Sequence, residues 1–232
     1  MADLSPEDWD AILLSLRVAS VATLASLPAG IALAYVLARC RFPGRTLLDG
    51  LIHLPLVMPP VVTGYLLLLS FGRKGPVGAF LDDCCGLVFS FRWTGAALAA
   101  AVMGLPLMVR AIRLTLENLD RRLEQAAGTL GARPFFVFMT VTLPLAAPGI
   151  LAGSILSFAK ALGEFGATIT FVSNIPGETR TIPAAIYTFT QVPGGDANAL
   201  RLTAVSIAIS LVALIASEIL ARRLNRQVAS FS

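Results

Sequence analysis

Charge is scarce in this chain. Asp, Glu, Lys and Arg make up 14% of its 232 residues, where a soluble domain carries roughly a quarter, so a free-standing water-soluble domain is excluded. Only two lysines occur, Lys74 and Lys160, and neither stands in a G-x-x-x-x-G-K-[ST] loop, so the chain offers no phosphate cradle of that kind. The single histidine, His53, leaves no H-E-x-x-H motif and no serine–histidine pair by spacing, and no pair of aspartates lies within an apolar segment. These absences argue against an intramembrane enzyme. Three cysteines, Cys40, Cys84 and Cys85, give no metal-ligand spacing, and the adjacent pair is poorly placed for a bridge, so they read as small apolar residues. No Lys or Arg appears in residues 1–10, which instead hold Asp3, Glu7, Asp8 and Asp10, the reverse of a cleavable signal peptide's basic start. A retained, acidic N-terminus is expected.

Apolar residues are abundant: hydrophobic side chains make up 56% of the chain and the mean hydropathy is +0.78. An all-α integral membrane protein follows, one domain over residues 1–232, with five core spans predicted at 11–38, 50–71, 93–113, 148–172 and 200–220. A sixth crossing or re-entrant segment over 71–88 is the alternative to a loop, which Gly72, Arg73, Lys74, Gly75 and Pro76 favour. Pro106, Pro144 and Pro148 mark places where kinks or shifted boundaries are expected. The formal charge of +4 comes from basic residues flanking spans, which membrane topology explains without nucleic acid. Eleven of them (Arg39, Arg41, Arg45, Arg110, Arg113, Arg121, Arg122, Arg133, Arg222, Arg223, Arg226) fall on one side, against Arg73, Lys74, Arg92 and Arg180 on the other. The positive-inside rule then puts the N-terminus outside and the C-terminus in the cytosol.

On that topology the longest cytosolic connection is 114–144. Leu116, Leu119, Leu123, Ala126, Ala127 and Leu130 recur at three- and four-residue steps, predicting a helix over 117–131 with one apolar face. Gly131 supplies a left-handed stop, and Ala132-Arg133-Pro134 breaks the chain before the aromatic run 135–139. A polar helix with an apolar stripe gains nothing from lipid, so it reads as a docking element for a soluble partner. A helix lying on the lipid headgroups is the alternative.

The order Gln125-Ala126-Ala127, Gly131, Val141, Leu143-Pro144 resembles the EAA loop of ABC importer permeases, whose pattern is E-A-A, G, I, L-P. Gln125 stands where the motif has glutamate, with Glu124 one residue earlier, and Val141 replaces isoleucine. The resemblance extends over His53-Leu54-Pro55-Leu56-Val57-Met58-Pro59-Pro60-Val61-Val62-Thr63-Gly64-Tyr65 and over residues 163–179, where the chain is similar to the bacterial molybdate permease family, with sulfate, thiosulfate or tungstate permeases as alternatives. It implies a MetI-like architecture with a pore on the two-fold axis of a permease homodimer. Two cytosolic ATPase subunits carry ATP and Mg, a periplasmic molybdate-binding protein delivers the anion, and this chain binds no cofactor or metal. It also implies that Glu124, Gln125, Ala126, Ala127, Gly131, Ala132, Pro134, Phe135, Leu143 and Pro144 couple to the ATPase from the bacterial inner membrane.

Within the spans, prolines 55, 59 and 60 free carbonyls that need partners or water, which favours a path-lining span; a kink that only packs helices is the alternative. Candidate path and gate residues are Pro59, Pro60, Thr63, Gly163, Glu164, Gly166, Thr168 and Thr170. Lys160 and Glu164, four residues apart, are expected to pair inside the membrane. The loop 174–198 is rich in turn-formers and offers Glu178, Arg180 and Asp196 for receptor docking, or simply as solvated charges. The short stretch after 220 is expected to hold no fused regulatory domain. A secondary carrier is the remaining rival, but the internal duplication it would carry is not visible.

Overall fold

The computed structural model describes residues 5–229; Asp3 lies outside the described residues, as do the side chains of Arg222, Arg223 and Arg226. The described residues are all helical or irregular, without strands. Helix α1 (Pro6–Arg39) opens on a capping box, the Ser5 hydroxyl taking the Asp8 N–H while the Asp8 carboxylate takes the Ser5 N–H. Its 34 residues rise about 51 Å, longer than the ~30 Å hydrocarbon layer is thick.

The expected crossing at 50–71 is instead a broken pair, α2 (Arg45–Val57) and α3 (Pro60–Phe71), bent by 113°. The cause is local. Met58 precedes a proline and is pushed to an extended backbone (φ −71°, ψ 147°), Pro59 has no N–H to continue the ladder, and Pro60 starts a new helix at its first position. Residues 71–88 do not cross: α4 (Pro76–Cys85) is a ten-residue helix folded back on α3, with Gly78 against the carbonyls of Phe71 and Gly72.

Helix α5 (Trp93–Asn118) is the central span, 61% buried against 11% for the last one. Small residues make this possible: Ala96, Ala97, Ala99 and Ala100 are buried, and Gly30, Gly104, Gly149 and Gly153 stand where a Cβ would strike Met108, Ser157, Thr115 and Ile112. In lipid, close backbone approach of this kind replaces the hydrophobic drive as the source of packing energy. α5 overruns the predicted 113 and ends where Leu119 turns extended, and Asp120 caps α6 (Arg121–Thr129) by accepting the Arg122 N–H. The single helix predicted over 117–131 is therefore two, because an aspartate at a cap competes with helix continuation.

The fourth span also differs from its predicted 148–172. It runs from α7 (Pro134–Val137) through a π-turn (Phe138–Thr142) into α8 (Leu143–Leu162). Pro144 was expected near a boundary, but the wider π-turn just ahead of it relieves the clash a proline makes with the preceding turn. The aromatic run 135–139 is thus the start of this span rather than a separate piece. Residues 163–165 break the helix, and α9 (Gly166–Val172) packs on α3. The loop 174–198 contains α10 (Ile182–Thr190), pinned to α1 by the Ile182 N–H on the buried Ser15 hydroxyl (2.7 Å). The last span is α11 (Asp196–Ala229). Among the described residues, four helices are long and apolar enough to cross, giving five crossings if the bent pair counts as one.

Candidate functional site

Residues 38–53 and 110–142 gather at one end of the bundle, tied by Arg113 to Asp49 (2.9 Å) and Glu117 (2.8 Å), Arg45 to Glu117 (3.5 Å) and His53 to Asp49 (3.2 Å). Here α6 has no buried residue. Leu130 is 89% exposed, Phe135 66%, Phe136 60% and Leu123 50%, a concentration of exposed large apolar side chains of the type that marks an interface. Gly131 has φ +86° with open space around it, so a left-handed backbone and not crowding requires glycine there, as its position after the helix predicts. The Ala132 N–H closes the turn on the Ala127 carbonyl (3.2 Å), and Pro134 takes the first turn of the next helix.

Glu124 behaves differently from its neighbours. Gln125, Ala126 and Gly128 face outward, whereas the Glu124 carboxylate turns in and its Oε1 accepts from Arg39 (3.0 Å) and from the Thr142 hydroxyl (2.9 Å). Sequence alone has no signal for this pair, since Arg39 and Glu124 are 85 positions apart. Leu143 is half-buried and Pro144 exposed at the start of α8.

Of the path and gate candidates, Pro60, Gly166 and Thr170 meet where the two broken spans touch. A Cβ on Gly64 would lie 2.9 Å from Ala167 Cα and 2.9 Å from Thr170 Cβ, and one on Gly166 would lie 2.8 Å from Pro60 Cβ. Thr63 is buried there, its hydroxyl without a partner among the described residues. Pro59 and Gly163 are exposed. Lys160 and Glu164 do pair (2.9 Å), although the helix carrying Lys160 ends at Leu162. Glu164 spans the break: its Oε2 holds Lys160 while its Oε1 accepts the Ala167 N–H (2.9 Å) in the first turn of α9. Thr168 and Thr170 donate to carbonyls of their own turn, at Phe165 (2.9 Å) and Gly166 (2.8 Å).

At the opposite end, Arg180 is committed within the chain, to Asn174 (3.2 Å) and Glu7 (3.4 Å). Asp196 is exposed at the start of α11, and Glu178 is half-buried.

Similarity to known proteins accords with this layout. The "Molybdenum transport system permease protein ModB" of Escherichia coli (strain K12) is 62% identical over 219 residues, covering 94% of this chain and 96% of that protein. The "Sulfate transport system permease protein CysT" of Salmonella typhimurium is 37% identical, covering 97% of this chain and 80% of that one. Among solved structures, the fold is shared with the MetNI methionine ABC transporter in inward-facing conformations, with a TM-score of 0.69 at 14% identity and 94% of each chain covered. Residues 26–226 match the profile of the binding-protein-dependent transport system inner membrane components, and the chain belongs to that family.

Proposed function

We propose that this chain is the membrane-spanning permease subunit of an ATP-driven molybdate importer, working as a homodimer in the bacterial inner membrane. Its N-terminus faces outward and its C-terminus the cytosol. A periplasmic binding protein delivers the oxyanion to the Glu7–Arg180 end, where Glu178 and Asp196 are available for docking. Two cytosolic ATPase subunits, which carry ATP and Mg, grip α6 at the other end. The observation that carries the substrate is the 62% identity to a molybdenum permease along nearly the whole chain, against 37% for a sulfate permease.

The physics of the cargo supports this division of labour. Moving an unpaired charge into a medium of low dielectric costs many kcal/mol, so a tetrahedral dianion needs a water-lined route that opens to one side at a time. Broken helices supply such a route, because irregular backbone at membrane depth persists only where it borders protein or water. The α3–α9 contact, with Pro60, Thr63, Gly64, Gly166 and Thr170, and the Lys160–Glu164 pair at the break beside it, serve as the gate. Energy enters from the partner, since no phosphate-binding loop occurs in this sequence. Closure of the ATPases on nucleotide displaces α6, and the spans attached to it turn the gate outward.

The substrate is tested by uptake of radiolabelled molybdate at trace concentration into vesicles holding the full complex. An excess of sulfate is expected to leave uptake unchanged. Loss of uptake under sulfate, with sulfate itself carried, would assign the chain to the sulfate branch; equal competition by tungstate would broaden the substrate to both heavier oxyanions.

A further inference from the structure

The coupling helix α6 has no buried residue, yet it must pass force to the spans. Two of its side chains reach them. Arg121 donates to the Ala38 carbonyl at the end of α1 (3.4 Å), a long, partly buried bond. Glu124 makes the stronger attachment: one carboxylate oxygen receives both the Arg39 guanidinium and the Thr142 hydroxyl. Arg39 has a side chain only 7% exposed, and its Nε is buried without a partner among the described residues, so Glu124 is the charge that makes its burial tolerable. Thr142 is 2% exposed and is the last residue of the π-turn, the one place where the span 134–162 departs from regular helix. π-turns inside helices are rare and concentrate at functional positions.

From this geometry we infer that Glu124 is a positioning residue, a latch fastening α6 to the inner ends of two spans, so that displacement of α6 reaches α1 through Arg39 and the gate-bearing span through Thr142. The inference rests on the permease reading above and assigns the glutamate an inward role: it holds the coupling helix to its own chain instead of contacting the ATPase. Because both bonds converge on one oxygen, α1 and the π-turn are moved together. Helix α8 follows the π-turn directly and carries Lys160 of the Lys160–Glu164 pair, so a shift at Thr142 arrives at the gate along a continuous helix.

The test uses the complete complex with its ATPase and binding protein in proteoliposomes, and reads molybdate taken up per ATP hydrolysed. Arg39→Gln, Glu124→Gln and the near-isosteric Thr142→Val are each expected to lower that ratio by roughly fivefold or more while ATPase subunits stay bound. The double variant Arg39→Gln/Glu124→Gln is expected to be no worse than the worse single, because both remove the same bond. Unchanged ratios, additive losses in the double variant, or release of the ATPase by Glu124→Gln would each overturn the latch. Thr142→Val keeps the ion pair, so if the charge variants fail to fold its ratio alone decides. A wild-type complex with no ATP-driven uptake would sink the permease reading and the latch with it; intact wild-type uptake with unmoved variant ratios sinks the latch alone.

Discussion

Replacing Gly64 with alanine tests whether the α3–α9 contact is part of the transport cycle. The new methyl would sit 2.9 Å from Ala167 Cα and 2.9 Å from Thr170 Cβ, and against the Ala167 carbonyl oxygen as well. Carbon atoms prefer about 3.5–4.0 Å, so the contact falls short by roughly 0.6 Å or more. Two of the three opposing atoms are backbone, which cannot rotate away as a side chain would. Overpacking of this kind costs about 1–3 kcal/mol. If every cycle passes through the packed arrangement, that penalty converts to a loss of roughly 5- to 150-fold in its population. The assay is ATP-driven molybdate uptake alongside thermal melting of the assembled complex, with Gly50→Ala as control. Gly50 lies within α2 with nothing inside 4 Å, and alanine there is expected to be neutral or to stabilise by up to about 1 kcal/mol. Wild-type uptake and melting in Gly64→Ala would refute the reasoning.

Gly131→Val should lose co-purification of the ATPase, since a β-branched residue at φ +86° costs about 1–2 kcal/mol or more, while Gly131→Asn, which tolerates that conformation, should retain most of it; equal binding by both variants would show that the turn is unimportant. Glu164→Gln keeps an acceptor for the Ala167 N–H but gives up the charge opposite Lys160, so the complex should fold with a melting point lowered by a few degrees and transport should fall. Unchanged uptake with unchanged ATPase stimulation would remove Glu164 from the gate. The native cysteines test orientation, because all three are free and exposed, Cys40 beside Arg39 at one end and Cys84 and Cys85 at the end of α4. A membrane-impermeant maleimide added to right-side-out vesicles should label Cys40→Ser but not the variant Cys84→Ser/Cys85→Ser, and the opposite pattern would invert the topology.

Much of this layout was legible in the sequence because lipid imposes simple rules. Apolar runs of about 20 residues located the first, third and last spans, and the long polar connection with Gly131 after an apolar stripe located the exposed helix and its left-handed stop. Lys160 and Glu164 were placed together by their four-residue spacing. What escaped was set by competition between local signals and by distance along the chain. Pro55, Pro59 and Pro60 were visible, but only Met58, caught before a proline, turns a kink into a 113° break. The start of the fourth span moved upstream because the π-turn absorbs Pro144, a compensation that residue propensities do not report. Helix α10 forms in a segment full of turn residues because Ile182 and Ala185 bury against Ala11, Ile12 and Leu202. The inward contact of Glu124 depends on Arg39, far away in sequence, and no periodicity links the two.

The central claim is that a nucleotide-driven partner moves α6 and thereby opens the route for the oxyanion. Its most direct measurement is radiolabelled molybdate uptake into proteoliposomes holding this chain and the binding protein, with and without the ATPase subunits and ATP. Uptake only when both ATPase and ATP are present, and its abolition when hydrolysis is blocked, is the predicted result. Equal uptake by vesicles lacking the ATPase would contradict it.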